Sequence, residues 1–383
     1  MNMPPNTPLN KPSIYDLIIV GAGPAGLTAS IYASRYKLTN LVIGKQLGGE
    51  LVLAHKIENF PGFESVPGPE LVQKMGNQVE KLGAKIIYEE VGKIEMGVFK
   101  DSTTEFESVF QPASPAGGSR AQDSSQECGK NLSNSLSRPH IFKVYLVGGE
   151  WYLARAVIVA TGSERRRLGV PGEEELIGRG VSYCTTCDAP FYREKLVGVV
   201  GGSDAAVTGA IHAAEFAKRI YLIYRGEQLR AEPIWIEELK KLIEKEKVIV
   251  IYKINVKEVL KKSQITNHKS QANGLGDVVG GIRLDNLFNG GDVLELDGLF
   301  IEIGGVPGTS LVKPLGVDLI DSGHVRVTDF MATNVVGLFC AGDMVDHSLV
   351  MQQAITAMAQ GAIAASSAYK YLKGNQAPRI LGV

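Results

Sequence analysis

Two segments of the chain repeat one local pattern, in which a short apolar run leads through a glycine-rich turn into a helix. In the first segment the run Ile14–Val20 precedes GAGPAG at residues 21–26, a helical stretch follows at 27–35, and another apolar run occupies 40–43. Continuous branched apolar residues are typical of a buried parallel strand. Glycines at such a turn let the backbone approach a pyrophosphate at the helix N-terminus. The same spacing also serves a ligand-free helix–strand contact, so the position of the turn between strand and helix is what favours a nucleotide.

The second segment repeats this order further along the chain. An apolar run at 195–200 is followed by GGSDAA at 201–206, an amphipathic stretch at 206–218 and another apolar run at 219–224. The chain has 383 residues, which is long enough for two domains with separate cores. We therefore expect an α/β protein with two Rossmann-like nucleotide-binding domains in a three-layer ββα arrangement.

Two arginines follow the last strand of the second segment. Arg225 ends the apolar run and Arg230 lies slightly further on. A basic residue at this position is suited to the 2′-phosphate of a dinucleotide, whereas an acid there would bind a free 2′-hydroxyl. The alternative for both side chains is a solvated surface charge.

The two ends of the chain are expected to belong to one domain. Residues 336–343 (VGLFCAGD) form an apolar run ending in Gly-Asp, which can bring an acid to a ribityl or ribose hydroxyl. The alanine-rich segment 352–371 is typical of a helix, and its N-terminus would direct a positive dipole end at a flavin ring. The first nucleotide domain is then discontinuous, with the second inserted into it.

Composition excludes several classes of partner. The net charge of −1 gives no electrostatic basis for binding nucleic acid or an anionic membrane. No apolar run approaches the roughly 20 residues that span a bilayer, and the polar, proline-rich N-terminus lacks the apolar part of a secretory signal. Four cysteines are too few for a dense disulfide scaffold. A cytoplasmic protein is the expectation.

Two segments are expected to lack fixed structure. Residues 1–12 form a flexible tail, and residues 111–138 contain almost no large apolar side chains, so we expect a disordered insertion there. Cys128 lies in this insertion and is interpreted as a bystander. Cys340 ends an apolar run and is interpreted as a small buried side chain.

Cys184 and Cys187 stand in SYCTTCDA, two residues apart, and allow three interpretations: a metal clamp, a structural staple, or a dithiol that passes electrons. Structural zinc normally needs four Cys or His ligands, whereas His212, His324 and His347 stand alone in unrelated segments, so we expect no metal. A C-x-x-C pair between two nucleotide-binding units instead suggests hydride entry at one site and disulfide exchange at the other.

These residues together resemble the low-molecular-weight thioredoxin reductases, which are FAD- and NADPH-dependent disulfide oxidoreductases. The similarity covers residues 13–97 and 141–373 in matching order. It rests on the segments GAGPAGLTASIYASR, LGGEL, IENFPG, ATG, GRGVSYCTTCDAPFYR, GLFCAGD and QAIT.

The resemblance implies a domain organisation and two sets of cofactor-binding residues. The FAD-binding domain would comprise residues 13–166 and 299–383, and the NADPH-binding domain, which carries the dithiol, residues 167–298. The implied FAD-binding residues are Gly21, Gly23, Pro24, Ala25, Gly26, Gly48, Gly49, Glu50, Leu51, Asn59, Thr161, Gly162, Gly342, Asp343, Gln352, Gln353, Ala354 and Ile355. The implied NADPH-binding residues are Gly201, Gly202, Ser203, Asp204, Ala205, Ala206, Arg225 and Arg230.

The resemblance also implies the catalytic roles. Cys187 would accept electrons from the flavin, Cys184 would attack the disulfide of a thioredoxin-like partner, and Asp188 would act as acid and base. A thiolate is the attacking species, and a leaving thiol departs faster when its charge is neutralised. The resemblance further implies a homodimer and a rotation of the domains about connections near residues 166 and 298.

Four positions depart from the family pattern. Ser203 replaces a glycine of the second fingerprint, and Tyr224–Arg230 has lost one arginine and gained an acid. Gln352-Gln353 stands where the family has Arg-Gln, after two extra residues, and Glu50 turns GGQL into GGEL. The first two changes weaken the case for NADPH. The alternative is the same flavin–dithiol chemistry with another donor, such as reduced ferredoxin or a reduced flavin, or a dithiol oxidase that uses oxygen. A flavin-binding sensor is a further alternative, which Asp188 disfavours because a sensor needs no acid for a leaving thiolate.

Overall fold

The computed structural model describes residues 14–99, 106–108, 140–265 and 277–374. The chain divides into two compact units. The outer unit comprises Met1–Ser163 and Pro307–Val383, and the inserted unit comprises Glu164–Val306. The predictions for residues 1–12 and 111–138 lie outside the described residues.

The helices and strands follow one another in three stretches. The outer unit begins with β1(Ile14–Val20), α1(Pro24–Arg35), β2(Asn40–Ile43), α2(Gly68–Lys81), β3(Lys85–Ile87), β4(Val91–Phe99), β5(Phe106–Ser108), β6(Ile141–Leu146) and β7(Trp151–Val159). The chain enters the inserted unit within β8(Ser163–Arg165). The inserted unit contains β9(Val181–Ser182), α3(Thr185–Asp188), β10(Leu196–Val200), α4(Asp204–Ala214), β11(Arg219–Tyr224), α5(Pro233–Glu244), β12(Val248–Tyr252), β13(Val256–Lys261), α6(Lys262–Ile265), β14(Val279–Phe288), β15(Gly291–Glu295) and β16(Gly298–Ile301). The chain returns through β17(Gly305–Pro307), β18(Leu338–Cys340) and α7(Ala354–Lys373). Short 3-10 helices cover Gly49–Leu53, Ala189–Tyr192, Lys313–Leu315 and Asp346–Leu349.

The main sheet of the outer unit joins a parallel half to an antiparallel half. Its order is β3-β2-β1-β7-β6-β4-β5, and β18 also pairs with β7. The strands β1, β2, β3, β7 and β18 pair in parallel, whereas β7, β6, β4 and β5 pair antiparallel. The last four residues of β1 are buried, as expected for a strand covered on both faces.

The inserted unit contains a second doubly wound sheet. Its five strands lie in the order β12-β11-β10-β16-β9, and all of them pair in parallel. A separate antiparallel sheet of β13, β14 and β15 lies in the same unit. The prediction of two Rossmann-like domains, the second inserted into the first, is confirmed.

Three details differ from the sequence expectations. The inserted unit ends at Val306 rather than at residue 298, because β16 pairs with β10 and β9 and belongs to their sheet. The helix after the second glycine turn spans Asp204–Ala214 rather than 206–218, since Ser203 is its N-cap. The C-terminal helix begins at Ala354 because Gln353 forms a capping box with Thr356.

No helix in the described part of the chain combines the length and the apolar character that crossing a bilayer requires.

Candidate active site

The two cysteines of the C-x-x-C segment form a disulfide at a tight turn. Cys184 is the N-cap of α3, and its Sγ is bonded to the Sγ of Cys187. The backbone N–H of Cys187 donates a hydrogen bond to the Sγ of Cys184 at 3.1 Å. Such an amide stabilises negative charge on the sulfur that it contacts. The geometry therefore favours Cys184 as the sulfur that carries the thiolate, and Asp188 lies half-buried at the end of the same turn.

A buried glutamate holds the strand end that precedes the turn. The Glu173 side chain accepts the N–H groups of Leu168 at 2.8 Å and Gly169 at 2.7 Å, together with the hydroxyl of Tyr183 at 2.6 Å. Burial, and then the hydrogen bond to Glu173, raise the pKa of Tyr183 well above its ordinary value, so Tyr183 remains a donor. Because Tyr183 directly precedes Cys184, this contact fixes the entry of the chain into the turn.

A second buried glutamate reaches the turn itself. The hydroxyl of Thr185, which lies between the cysteines, donates to Oε1 of Glu302 at 3.0 Å. The other oxygen of Glu302 accepts Nη1 of Arg165 at 2.6 Å. Burial raises the pKa of Glu302, and Arg165 and Thr185 act in the opposite direction. All three residues belong to the inserted unit.

The first glycine fingerprint forms a cradle in front of α1. A Cβ at Gly21, where φ is +115°, would lie 2.1 Å from the carbonyl oxygen of Ala160, so the turn admits no side chain there. Gly23 is different, because the nearest atom to its Cβ would be the carbonyl oxygen of Gly48, at 4.0 Å. Gly23 caps α1 without a side-chain hydrogen bond, and the first turn, which starts with Pro24 and Ala25, holds no acid. The free N–H groups of this helix end suit a pyrophosphate.

The segment LGGEL closes one side of this cradle. Gly48 N–H donates to the carbonyl oxygen of Ala22 at 2.7 Å, and a Cβ at Gly49 would lie 3.5 Å from the Cα of Gly23. Glu50 and Leu51 belong to the 3-10 helix that follows. Burial, and then Glu50, raise the pKa of the Asp343 carboxyl. Glu50 and Asp343, which are both predicted to bind FAD, therefore lie close enough for their charges to interact.

Other predicted FAD-binding residues join segments far apart in the sequence. Asn59 Nδ2 donates a hydrogen bond to Oε1 of Gln353 at 3.2 Å. Gln353 is the N-cap of α7, whose first two residues are Ala354 and Ile355. Thr161 donates its hydroxyl to the carbonyl oxygen of Gly308 at 2.7 Å. Gly162 lies beside it, and its carbonyl oxygen accepts Gly308 N–H at 2.9 Å. Gln352 is exposed.

Helix α7 packs against α1 through residues that the sequence reasoning did not select. A Cβ at Gly361 would lie 2.1 Å from the carbonyl oxygen of Ala25, so the two helix backbones touch. The buried side chain of Gln360 accepts the N–H of Gly342 at 2.8 Å. Gln360 thereby fixes the Gly-Asp turn that carries Asp343.

The second glycine fingerprint lies before α4 in the inserted unit. Ser203 caps α4 without a side-chain hydrogen bond, and Gly201, Gly202, Asp204, Ala205 and Ala206 surround it. Asp204 accepts the N–H of Glu232 at 2.7 Å, so this acid has a structural partner in the next loop. Arg230 N–H donates to the carbonyl oxygen of Gly202 at 2.6 Å, which places the arginine loop beside the glycine turn.

The two arginines expected to bind a 2′-phosphate are exposed at the end of β11. Neither Arg225 nor Arg230 forms an ion pair with a residue that the structure describes. The acid gained in this stretch, Glu227, pairs with Lys253 at 2.8 Å. The extra acid therefore has its own cation, and two guanidinium groups remain beside the second nucleotide turn.

The sequence reasoning missed Glu173, Glu302, Arg165 and Gln360. Their partners lie far away in the chain, or are backbone groups, and no spacing rule joins them. A carboxylate directly after an apolar strand run, as in Glu302 after β16, was the one available signal for Glu302.

Comparison with known proteins places this geometry in a family. Residues 15–361 match the family described as pyridine nucleotide-disulphide oxidoreductase. The two nucleotide folds, the disulfide turn and this match define a flavin- and nicotinamide-dependent type of oxidoreductase.

Individual relatives narrow this class. A thioredoxin reductase of Bacillus subtilis (strain 168) is 34% identical over 367 residues, which cover 95% of this chain and 97% of that protein. The crystal structure of Lactococcus lactis thioredoxin reductase (FR conformation) superposes with a TM-score of 0.73 at 29% identity, covering 94% of this chain and 99% of that chain. The thioredoxin reductase of T. acidophilum gives a TM-score of 0.72 at 28% identity, covering 93% and 98%. The chain belongs to the thioredoxin reductase family, an enzyme family that uses FAD and NADPH.

Proposed function

We propose that this protein is a thioredoxin reductase, which passes electrons from NADPH through FAD to the Cys184–Cys187 disulfide and on to a disulfide of a thioredoxin-like protein. The observation that carries the proposal is the disulfide turn, in which Cys184 Sγ accepts the Cys187 N–H in a chain with two dinucleotide folds. The relatives named thioredoxin reductase support the same conclusion.

The residues of the outer unit fit FAD. The α1 N-terminus and Gly23 offer an open, uncapped helix end for the pyrophosphate, and Asp343 offers a carboxyl for a hydroxyl of the ribityl chain. When bound, FAD takes up a hydride and releases electrons in a form that a disulfide can accept. The residues of the inserted unit fit NADPH, with α4 for its pyrophosphate and Arg225 and Arg230 for its 2′-phosphate.

The dithiol performs the exchange in two balanced steps. The Cys184 thiolate attacks one sulfur of the partner disulfide, and the departing partner thiolate takes a proton, for which Asp188 is the proposed donor. Cys187 then gives its proton to the carboxylate of Asp188, and its thiolate attacks the Cys184 sulfur of the mixed disulfide. This attack restores the Cys184–Cys187 bond and expels the second partner sulfur as a thiolate, which takes a proton from water, so that two electrons have left the dithiol.

The proposal is tested by following NADPH oxidation at 340 nm with the purified protein and a bacterial thioredoxin. We expect oxidation that depends on thioredoxin and reduces its disulfide. Turnover that occurs with reduced ferredoxin and not with NADPH would instead support the donor variant of the same dithiol chemistry. Oxygen consumption without any thioredoxin would support a dithiol oxidase.

Arg225→Gln is expected to raise the KM for NADPH by roughly tenfold, because each charge-assisted contact to a phosphate contributes on the order of 1.5–3 kcal/mol. The KM for NADH should stay within about twofold, since NADH lacks the 2′-phosphate. Arg230→Gln should behave in the same way. The matched control is Arg219→Gln, at the opposite end of β11, where the guanidinium donates to the carbonyl oxygen of Glu246. Equal KM changes for the two cofactors would show that the arginines do not read the phosphate.

The proposal includes a homodimer in the cytoplasm. The family resemblance supports the dimer, and the sparse cysteines, with Cys340 as a buried free thiol, suit a reducing compartment. Sedimentation equilibrium of the purified protein tests the dimer, and we expect twice the mass of the single chain.

A further inference from the structure

The threonine between the two cysteines is tied to a buried ion pair. Thr185 is 4% exposed and Glu302 is 6% exposed. The Thr185 hydroxyl donates to one oxygen of Glu302, and Arg165 donates to the other. The redox turn is therefore linked by one hydrogen bond to a charged pair inside the same unit.

The ion pair is contributed by segments distant in the chain. Arg165 ends β8, where the chain has just entered the inserted unit, and Glu302 directly follows β16, shortly before the chain leaves it. Helix α4 backs the turn, since a Cβ at Gly209 would lie 3.0 Å from Oγ1 of Thr185. Thr185 thus has little space for another rotamer, and its hydroxyl is held on Glu302.

Stability alone does not account for a charged pair at this position. Removing two charges from water costs several kcal/mol for each ion, and well-packed apolar side chains often replace a buried pair without loss. The same charges act strongly on nearby ionisable sulfurs, because a cation lowers a thiol pKa and an anion raises it. Glu302 gives the turn a strong acceptor, and the positive charge of Arg165 opposes the negative charge of Glu302 at the same place.

We propose that Arg165 and Glu302 are positioning residues for the Cys184–Cys187 couple, which hold the turn through Thr185 and set its redox equilibrium by their balance of charge. The inference rests on the proposed function in so far as the couple must be redox-active. It concerns the dithiol alone, so its test requires neither NADPH turnover nor a thioredoxin.

The test is the equilibrium of the couple with dithiothreitol in the purified holoprotein, under anaerobic conditions. Dithiothreitol loses two electrons and two protons and closes its cyclic disulfide, while the Cys184–Cys187 bond breaks and each sulfur takes a proton. Quenching with acid, alkylation and mass spectrometry of the peptide that contains both cysteines give the reduced fraction at each ratio of the reagent.

Glu302→Gln should favour the dithiol. The variant removes the negative charge of Glu302 and keeps the positive charge of Arg165, so the surroundings of the turn become more positive and stabilise a thiolate. We expect the couple to become roughly tenfold easier to reduce, which corresponds to about 30 mV. The double variant Arg165→Met with Glu302→Gln has lost both charges. Its equilibrium constant with dithiothreitol should return to within about threefold of the parent value.

Thr185 variants test the positioning separately. Thr185→Val keeps the shape of the side chain but loses the hydrogen bond to Glu302. The turn is then held less firmly, which lowers the effective concentration of one sulfur for the other. The disulfide should therefore become roughly fivefold easier to reduce. Thr185→Ser keeps the hydroxyl and should stay within about twofold. These two variants decide the question even if Glu302→Gln fails to fold.

An exposed ion pair nearby provides the matched control. Arg167 and Glu174 pair at 3.0 Å with exposed side chains, and neither Arg167→Gln nor Glu174→Gln should move the constant. The proposal is overturned if Thr185→Val behaves like Thr185→Ser, or if adding Arg165→Met does not reverse the effect of Glu302→Gln. If the parent couple itself does not interconvert reversibly, the proposed function fails and not only this inference.

Discussion

Gly23→Val is expected to fold like the parent protein and to lose FAD. Gly23 has φ −78° and ψ −175°, which any residue adopts, and the nearest atom to its Cβ would lie 4.0 Å away. The protein therefore has room for a valine, whereas a pyrophosphate at the N-terminus of α1 does not. We expect FAD affinity to fall by at least roughly 100-fold, the loss of one or two charge-assisted hydrogen bonds. Flavin absorbance per protein after gel filtration, and fluorescence titration of the apoprotein with FAD, measure the effect.

Two further glycine variants separate ligand binding from folding. Gly291→Val, in β15, is the matched control, because a Cβ there also meets open space, with the nearest atom at 4.0 Å. It should retain FAD. Gly21→Ala should instead impair folding, since its Cβ would lie 2.1 Å from the carbonyl oxygen of Ala160. A folded Gly23→Val protein that binds FAD as tightly as the parent would show that the N-terminus of α1 does not bind the FAD pyrophosphate.

Cys184→Ser is expected to reduce thioredoxin-dependent turnover by at least about 1000-fold, because it removes the attacking thiolate. The bound flavin should remain, since the cysteines lie in the inserted unit and the FAD cradle in the outer unit. Cys187→Ser should be as inactive, but for another reason. Its Cys184 thiolate can still attack a partner disulfide, and no second sulfur resolves the product. A mixed disulfide with thioredoxin should therefore accumulate on a non-reducing gel for Cys187→Ser alone.

The control for both variants is Cys340→Ala. Cys340 is a free, fully buried cysteine, and burial raises the pKa of its thiol far above its ordinary value, which makes it inert. The variant should keep its turnover. Trapping of thioredoxin by Cys184→Ser instead of Cys187→Ser would reverse the roles assigned to the two sulfurs.

The local pattern of apolar residues was sufficient to predict the bounds of the buried strands. The strands Ile14–Val20 and Arg219–Tyr224 begin and end where their apolar runs do, since hydrophobic continuity defines a buried parallel strand. Helix ends were less predictable. Gln353 became an N-cap only because Thr356 completes a capping box, which the alanine-rich pattern does not reveal.

The candidate site was predictable where a motif carries its own chemistry. The glycine turns and the C-x-x-C pair lie where sequence reasoning placed them, whereas β18 ends at Cys340, so Gly342 and Asp343 lie in the turn after the strand. The supports of the cysteine turn were not predictable, because Glu173 and Glu302 act through tertiary contacts. The Glu302–Thr185 contact joins residues on opposite sides of the β10–β12 region of the chain, and only the folded sheet brings them together.

The structure shows which side chains two of the residues that depart from the family pattern, Glu227 and Glu50, act on. Glu227, which seemed to oppose a phosphate site, pairs with Lys253 rather than with either arginine. Glu50, in contrast, acts on Asp343 and contributes to the raised pKa of that carboxyl, so this change lies beside the carboxyl that we propose for FAD. The Glu227–Lys253 pair supports the proposal of NADPH as the donor.

The most direct test of the central claim is an anaerobic titration of the oxidised holoprotein with NADPH, following the flavin absorbance band. We expect NADPH to bleach the flavin and the protein to accept four electrons, two in FAD and two in the Cys184–Cys187 disulfide. The Cys184→Ser variant should accept only two. If neither NADPH nor NADH bleaches a flavin that dithionite does bleach, NADPH is not the electron donor and the proposed function is contradicted.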